Sequence, residues 1–125
     1  MPHVLLLEPD RIIAKCIVEE LERRNITVSV ATNADSAIIM ADKNYPDAVI
    51  SELSIPGHSG SEFLYEFRTY SDWRAVPILI FSSLKPSREI LSSKDWKLLG
   101  ITEMLYKPDT SLQRLGDAVE TTLEP

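Results

Sequence analysis

Asp47-Ala48-Val49-Ile50-Ser51-Glu52-Leu53-Ser54-Ile55-Pro56-Gly57-His58-Ser59-Gly60 is the stretch on which the fold of this chain turns. Its first half is a short apolar run with β-branched residues at its centre, the pattern of a strand over 48–53 buried on both faces. A carboxylate, Glu52, stands at the carboxyl end of that run, and Pro56, Gly57 and Gly60 then turn the chain away. A buried strand that delivers an acid to its end is a strand that serves a site.

Three further runs share the pattern. Val4-Leu5-Leu6-Leu7 stops at Glu8-Pro9-Asp10, Val76-Pro77-Ile78-Leu79-Ile80-Phe81 stops at Ser82-Ser83, and Glu103-Met104-Leu105-Tyr106 stops at Lys107-Pro108. Thr27-Val28-Ser29-Val30-Ala31 alternates and supplies a fifth strand. Helical spacing fills the intervals. Ile13, Cys16, Ile17, Glu20 and Leu21 share one face of a helix that follows Asp10 and ends near Asn25. Further helices are expected over 34–43, 61–68, 87–99 and 111–123, with Asn44-Tyr45-Pro46 and Gly100 as stop signals. Strands and helices that alternate in this way predict one α/β domain over residues 1–125. Its expected architecture is a doubly wound five-stranded parallel sheet between two helical layers, a three-layer α/β/α sandwich. Ligands of such sheets bind beyond the carboxyl ends of the strands. Glu8, Asp10, Glu52, Ser82, Ser83 and Lys107 all fall there.

Composition narrows the function. With 13 Lys and Arg against 19 Asp and Glu, the net charge of -6 sets up a field that repels polyphosphate, so direct nucleic-acid binding is not expected. Cys16 is the only cysteine, which excludes an internal disulfide, and it reads as a small buried hydrophobe. No segment approaches the roughly 20 apolar residues of a membrane span, and Met1-Pro2-His3-Val4 opens without a cationic region, so a cytoplasmic location is expected. His3 and His58 are too far apart in sequence to suggest a metal pair, and His58 is expected in solvent. Of Trp73 and Trp96, at least one is expected in the core.

The strand-end residues, in their order and spacing, resemble those of response regulator receiver domains of two-component signalling, over nearly the whole chain. The resemblance is carried by Glu8, by Glu52 with Pro56-Gly57 and Gly60, by Ser82, and by Lys107-Pro108. It implies a flavodoxin-like fold and assigns roles. Glu52 is the equivalent of the phosphoacceptor aspartate, Glu8 and Asp10 form the acidic pocket, Ser82 is the switch hydroxyl, and Lys107 pairs with phosphate. In the family the lysine–proline peptide bond is often cis. The family's chemistry also needs Mg2+, held by carboxylates near the acceptor, to neutralise the phosphoryl group as the aspartate attacks.

Three positions depart from that pattern. Glu52 is one methylene longer than aspartate, which displaces a nucleophile whose geometry is tuned to the shorter acid. Pro9 stands at the second acidic position and has neither a carboxylate nor an amide hydrogen. Met104 stands three residues before the lysine, where receivers carry an aromatic that reads the switch out, and Tyr106 is expected to face away from Lys107 by strand alternation.

These departures lead to the expectation of a degenerate receiver that works as a phosphorylation-independent protein-interaction module and not as an enzyme. No cofactor is expected; Glu8, Asp10 and Glu52 would be the ligands if Mg2+ bound. Glu52 is expected to pair with Lys107 and hold one conformational state. The resemblance further implies a partner surface on helix four, strand five and helix five, facing a histidine kinase, an effector or a second copy of the chain. Two other readings stay open. One is a working receiver phosphorylated with Mg2+ by a histidine kinase or small phosphodonor at Glu52, Ser51 or Ser54. The other is a flavin- or nucleotide-binding doubly wound domain, against which Glu8-Pro9-Asp10 stands where a Gly-rich phosphate loop belongs. Single residues carry alternatives too: Asp10 either caps the first helix or moves into the site, Lys107 either points inward or is a surface cation, and Ser82 either joins the site or bonds backbone.

Overall fold

A computed structural model describes residues 1–55, 58–85 and 92–124. Its five main strands are β1 (His3–Leu7), β2 (Thr27–Ala31), β3 (Ala48–Ser51), β4 (Ile78–Ser82) and β5 (Ile101–Tyr106). The helices are α1 (Arg11–Glu22), α2 (Ala34–Lys43), α3 (Gly60–Thr69), α4 (Ser93–Leu99) and α5 (Leu112–Leu123). All strand pairs of the sheet are parallel and the order is β2-β1-β3-β4-β5. The flavodoxin-like doubly wound fold expected from the alternation is the fold observed.

Each central strand is apolar except at one end residue, because it buries side chains on both faces. Leu5, Leu7, Val49, Ile78 and Ile80 pack with α2, α3 and Trp73, whereas Val4, Leu6, Ala48, Ile50, Leu79 and Phe81 pack with α1 and α5. Trp73 is buried and stacks on Phe67 at 4.8 Å, while Trp96 lies partly buried against the same cluster. Both tryptophans therefore serve the core. Among the described residues no helix is long and apolar enough to cross a membrane.

The sheet also places the site. Strand order reverses between β1 and β3, where Leu7 pairs with Ser51, so Glu8 and Glu52 leave the sheet side by side. At β4 and β5, Ser82 pairs with Tyr106, which sets Ser83 and Lys107 at the next step. The crevice at this reversal collects all four strand ends.

Several boundaries differ from the sequence reading. β3 stops at Ser51 instead of Leu53, because the Glu52 carboxylate takes the amides of Leu53 and Ser54 that would have continued the ladder. The chain bends there into a short antiparallel ribbon of Ser54–Ile55 with His58–Ser59. β4 starts at Ile78, after Pro77, which has no amide to donate. β5 begins at Ile101, extending the edge through a register shift beside Ile78 and Leu79. α1 ends at Glu22, and Asn25 turns the chain in the left-handed region at φ 63°. Cys16, expected to be buried, is half-exposed; it borders a groove of about 280 Å³ with Ile12, Ile13, Phe81, Lys107 and Leu112. The Lys107–Pro108 peptide bond is trans. Pro56, Gly57, the 87–91 portion of the expected fourth helix and the His58 side chain lie outside the described residues.

Gly60 opens α3 against the backbone of the site. A Cβ there would come within 2.5 Å of Leu53 Cα and 2.7 Å of the Glu52 carbonyl oxygen, and the Gly60 amide donates to Leu53 O at 2.8 Å. Backbone cannot swing aside as a flexible side chain can. Gly60→Ala is therefore expected to destabilise the domain by about 1–3 kcal/mol, the range for overpacking, measured as a shift in the urea midpoint at unchanged slope.

Candidate functional site

A carboxylate buried at a strand end keeps its charge only if donors replace the water it has lost. Glu52 is 3 % exposed and has six such donors among the described residues. Oε2 accepts from the amides of Leu53 at 2.6 Å and Ser54 at 3.0 Å and takes a short hydrogen bond from the Ser82 hydroxyl. Oε1 accepts from the Ser83 amide at 3.0 Å, the Ser83 hydroxyl at 3.1 Å and Lys107 Nζ at 2.8 Å. The expected Glu52–Lys107 pair is present.

Lys107 is shared. Its ammonium lies 2.6 Å from Glu8 Oε1, so it bridges two buried carboxylates, and it sits 5.7 Å from the centre of the Phe81 ring. Lys107 thus points inward from β5. Glu8 completes its shell with the Asp10 amide, which donates to Oε2 at 3.0 Å. Ser82 Oγ, besides donating to Glu52, accepts from the Leu84 amide at 3.0 Å. Among the described residues no buried side-chain nitrogen or oxygen is left without a partner.

The titration behaviour follows from these contacts. Burial works to raise the Glu52 pKa, but the hydrogen bonds from Lys107, Ser82, Ser54 and Ser83 together outweigh it and hold the carboxyl at about 2. For Lys107, burial works to lower the pKa, and the bonds to Glu52 and Glu8 overcome it and raise it. The carboxylate and the ammonium keep each other ionised.

Asp10 does not join this cluster. Its carboxylate is turned to the helix it precedes, where Oδ1 accepts from the amides of Ile12 at 2.9 Å and Ile13 at 3.1 Å, and only its backbone reaches Glu8. The acidic pocket is therefore Glu8 with Glu52, and Asp10 is an N-cap. Ser51 is fully buried and donates to the Glu52 carbonyl at 3.1 Å, whereas Ser54 is exposed. His3 lies at the opposite end of the sheet, with its ring nitrogens against the hydroxyls of Thr27 at 2.6 Å and Ser29 at 2.8 Å. Sequence reasoning placed Ser83 at a strand end without a role. Its hydroxyl and amide supply two of the six donors on Glu52, and the doublet Ser82-Ser83 is the only signal that announced it.

These residues do not fit a divalent ion. Mg2+ takes oxygen ligands in octahedral order, yet Pro9 has no side-chain oxygen, the Asp10 carboxylate is bound to its helix, and Lys107 occupies the space between Glu8 and Glu52. Among the described residues no group of three acidic, histidine or cysteine side chains converges in a metal-binding arrangement.

Comparison with known proteins places the chain. The sequence profile described as response regulator receiver domain matches residues 4–120. The chain is 27% identical over 108 residues to the KDP operon transcriptional regulatory protein KdpE of Escherichia coli K12, covering 86% of this chain and 45% of that protein. It is 23% identical over 123 residues to the Regulator of RpoS of the same organism, covering 98% and 35% respectively. The chain thus spans less than half the length of these two relatives. Among solved structures, chemotaxis protein CheY4 of Vibrio cholerae superposes with a TM-score of 0.86 at 24% identity over 98% of each chain. The non-phosphorylated HemR receiver domain of Leptospira biflexa does so with a TM-score of 0.86 at 22% identity, over 100% of this chain and 96% of that one. At these identities the structural likeness is one of fold.

Two outcomes follow from the site. Lys107→Met leaves Glu8 and Glu52 as neighbouring buried charges without their cation, and is expected to cost about 3–5 kcal/mol in chemical denaturation at neutral pH. Stability should also depend on pH in two windows. Because the folded Glu52 pKa of about 2 lies below the ordinary 4.5, its contribution is complete above pH 4.5 and is lost as pH falls through 2. Because the Lys107 pKa is raised from 10.5, its contribution is complete below that pH and is lost above it. Urea midpoints measured across pH for the natural chain and Glu52→Gln check this: the variant should lack the Glu52 part of the acid-side slope.

Proposed function

The chain belongs to the response regulator receiver domain family, and on that premise we propose that it is a phosphorylation-independent receiver. In this reading it is a cytoplasmic protein-interaction module of two-component signalling, not an enzyme, and Glu52 supplies permanently the negative charge that a phosphoryl group supplies transiently in its relatives. The observation that carries the reading is the set of donors on Glu52. Ser82 and Lys107, the two side chains that family resemblance assigns to the phosphoryl group, are both bonded to its carboxylate. Both are engaged by Glu52 where the resemblance would have them engage an incoming group.

The poor fit to Mg2+ supports the same reading, since phosphoryl transfer to a carboxylate needs a cation to neutralise the developing charge. Lys107 stands between the carboxylates instead. A fixed ammonium holds the ground state together but does not present a phosphodonor in line.

The partner is proposed to be a protein, a histidine kinase or an effector, meeting the surface of α4, β5 and α5; a second copy of the chain would fit the same proposal. Leu98 of α4 is 65% exposed on that side of the molecule, and Met104 and Tyr106 of β5 are partly exposed. Exposed apolar side chains beside a polar rim are the composition of a docking surface.

Intact mass after incubation with Mg2+ and a small acyl phosphate donor tests the proposal. The natural chain should gain nothing, and the Pro9→Asp, Glu52→Asp double variant, which restores both family acids, should gain one phosphoryl group. Uptake by the natural chain would overturn the reading.

A further inference from the structure

Met104 stands at the position where the family resemblance puts the readout aromatic. Met104 is half-buried and packs against the core cluster that includes Leu99 of α4. A different line of contacts leads from Glu52 to α4, and it runs through α3. Glu52 Oε2 gathers the Leu53 and Ser54 amides, so the charge itself shapes the turn that follows β3. Gly60, the first residue of α3, lies on that turn with no room for a Cβ against Leu53 Cα or the Glu52 carbonyl.

Further along α3, Tyr65 and Arg68 are three residues apart and so share one helix face. They hold α4 at its two ends. The Tyr65 hydroxyl donates to Asp95, whose other carboxylate oxygen accepts from the Ser92 amide at 3.3 Å and whose amide donates to Ser92 Oγ at 3.2 Å, closing the capping box of α4. At the other end, Arg68 Nε donates to the Leu99 carbonyl at 2.7 Å and Nη2 reaches the Gly100 carbonyl at 3.5 Å, while Nη1 is anchored on Trp73 O at 2.7 Å. Gly100 fits this end twice over: its φ is +65°, and a Cβ there would meet Arg68 Nη2 at 2.9 Å.

We propose that α3 is the rod that carries the state of the Glu52 site to α4, with Gly60 as its input contact and the Tyr65 and Arg68 bonds as its output clamp. A rigid helix of ten residues transmits a shift at one end to side chains about 8–12 Å along its axis without intermediate steps. The inference rests on Glu52 as the standing charge of the site, but its readout involves no phosphorylation. Failure of the phosphodonor experiment and failure of this one are therefore separate results.

A double-mutant cycle on amide hydrogen exchange tests the route. In the otherwise natural chain, Glu52→Gln should speed exchange of the α4 amides by about tenfold while the centres of β1 and β3 stay protected. In the Tyr65→Phe, Arg68→Gln background α4 should already exchange faster, and adding Glu52→Gln should change it less than about twofold. An equal factor in both backgrounds, or no response of α4 in either, overturns the proposal. If Glu52→Gln lowers protection in β1 and β3 as well, Ser82→Ala, which removes one donor and leaves the charge, replaces it in the cycle and is read by the same criterion.

Discussion

One buried negative charge organises this end of the molecule. Moving a carboxylate out of water costs several kcal/mol unless hydrogen bonds and an opposite charge replace its hydration. The donors that do so for Glu52 come from the turn after β3, from the end of β4 and from the end of β5. Three separate segments are thereby tied to a single side chain. The sheet brings them near one another, but the charge fixes their relative positions, because each amide, hydroxyl or ammonium that moved away would leave a buried carboxylate short of a partner.

The extra methylene of Glu52 is what makes this closure geometrically feasible. A longer acid reaches across the crevice to Ser82, Ser83 and Lys107 while its stem still lets Oε2 turn back on the Leu53 and Ser54 amides. Among the described residues six donors are spread over its two oxygens. Glu8 completes the balance by holding Lys107 from the other side, so the ammonium is fixed between two acids and is not a lone ion pair across a gap.

Much of this was legible in the sequence, and the illegible part has a physical cause. Apolar runs bounded by polar strand ends specify a parallel sheet with two covered faces, so the five strands and the placement of Glu8, Glu52, Ser82 and Lys107 could be read directly. The Glu52–Lys107 pair was expected from a long acid and a lysine that the resemblance puts in one site, and the side chains meet across the end of β4, which lies between their strands. What periodicity does not encode is the direction of a carboxylate with two plausible uses. Asp10 could serve either the site or its helix, and the free amides of Ile12 and Ile13 decided it locally. Nor does it encode where a strand stops when the agent is a side chain. β3 lost its last two residues because Glu52 competed with the ladder for the next amides, a contest invisible in any pattern of hydrophobicity. The half-exposure of Cys16 depends likewise on how α1 and α5 meet, which belongs to packing and not to the helix alone.

Holding one state firmly at the strand ends has consequences only where something else is set by them. Arg24 shows the contrast: it ties α1 to α5 through Glu20, Asp117 and Glu120, with Gly116 leaving room for its guanidinium, yet none of these residues touches the strand-end cluster. That staple steadies the opposite side of the sheet and is indifferent to Glu52. α3 differs because its first residue is in contact with the backbone that Glu52 organises and its later residues grip another helix. A charge that never leaves, joined to a helix with no spare volume at its base, makes α4 part of the site's own geometry.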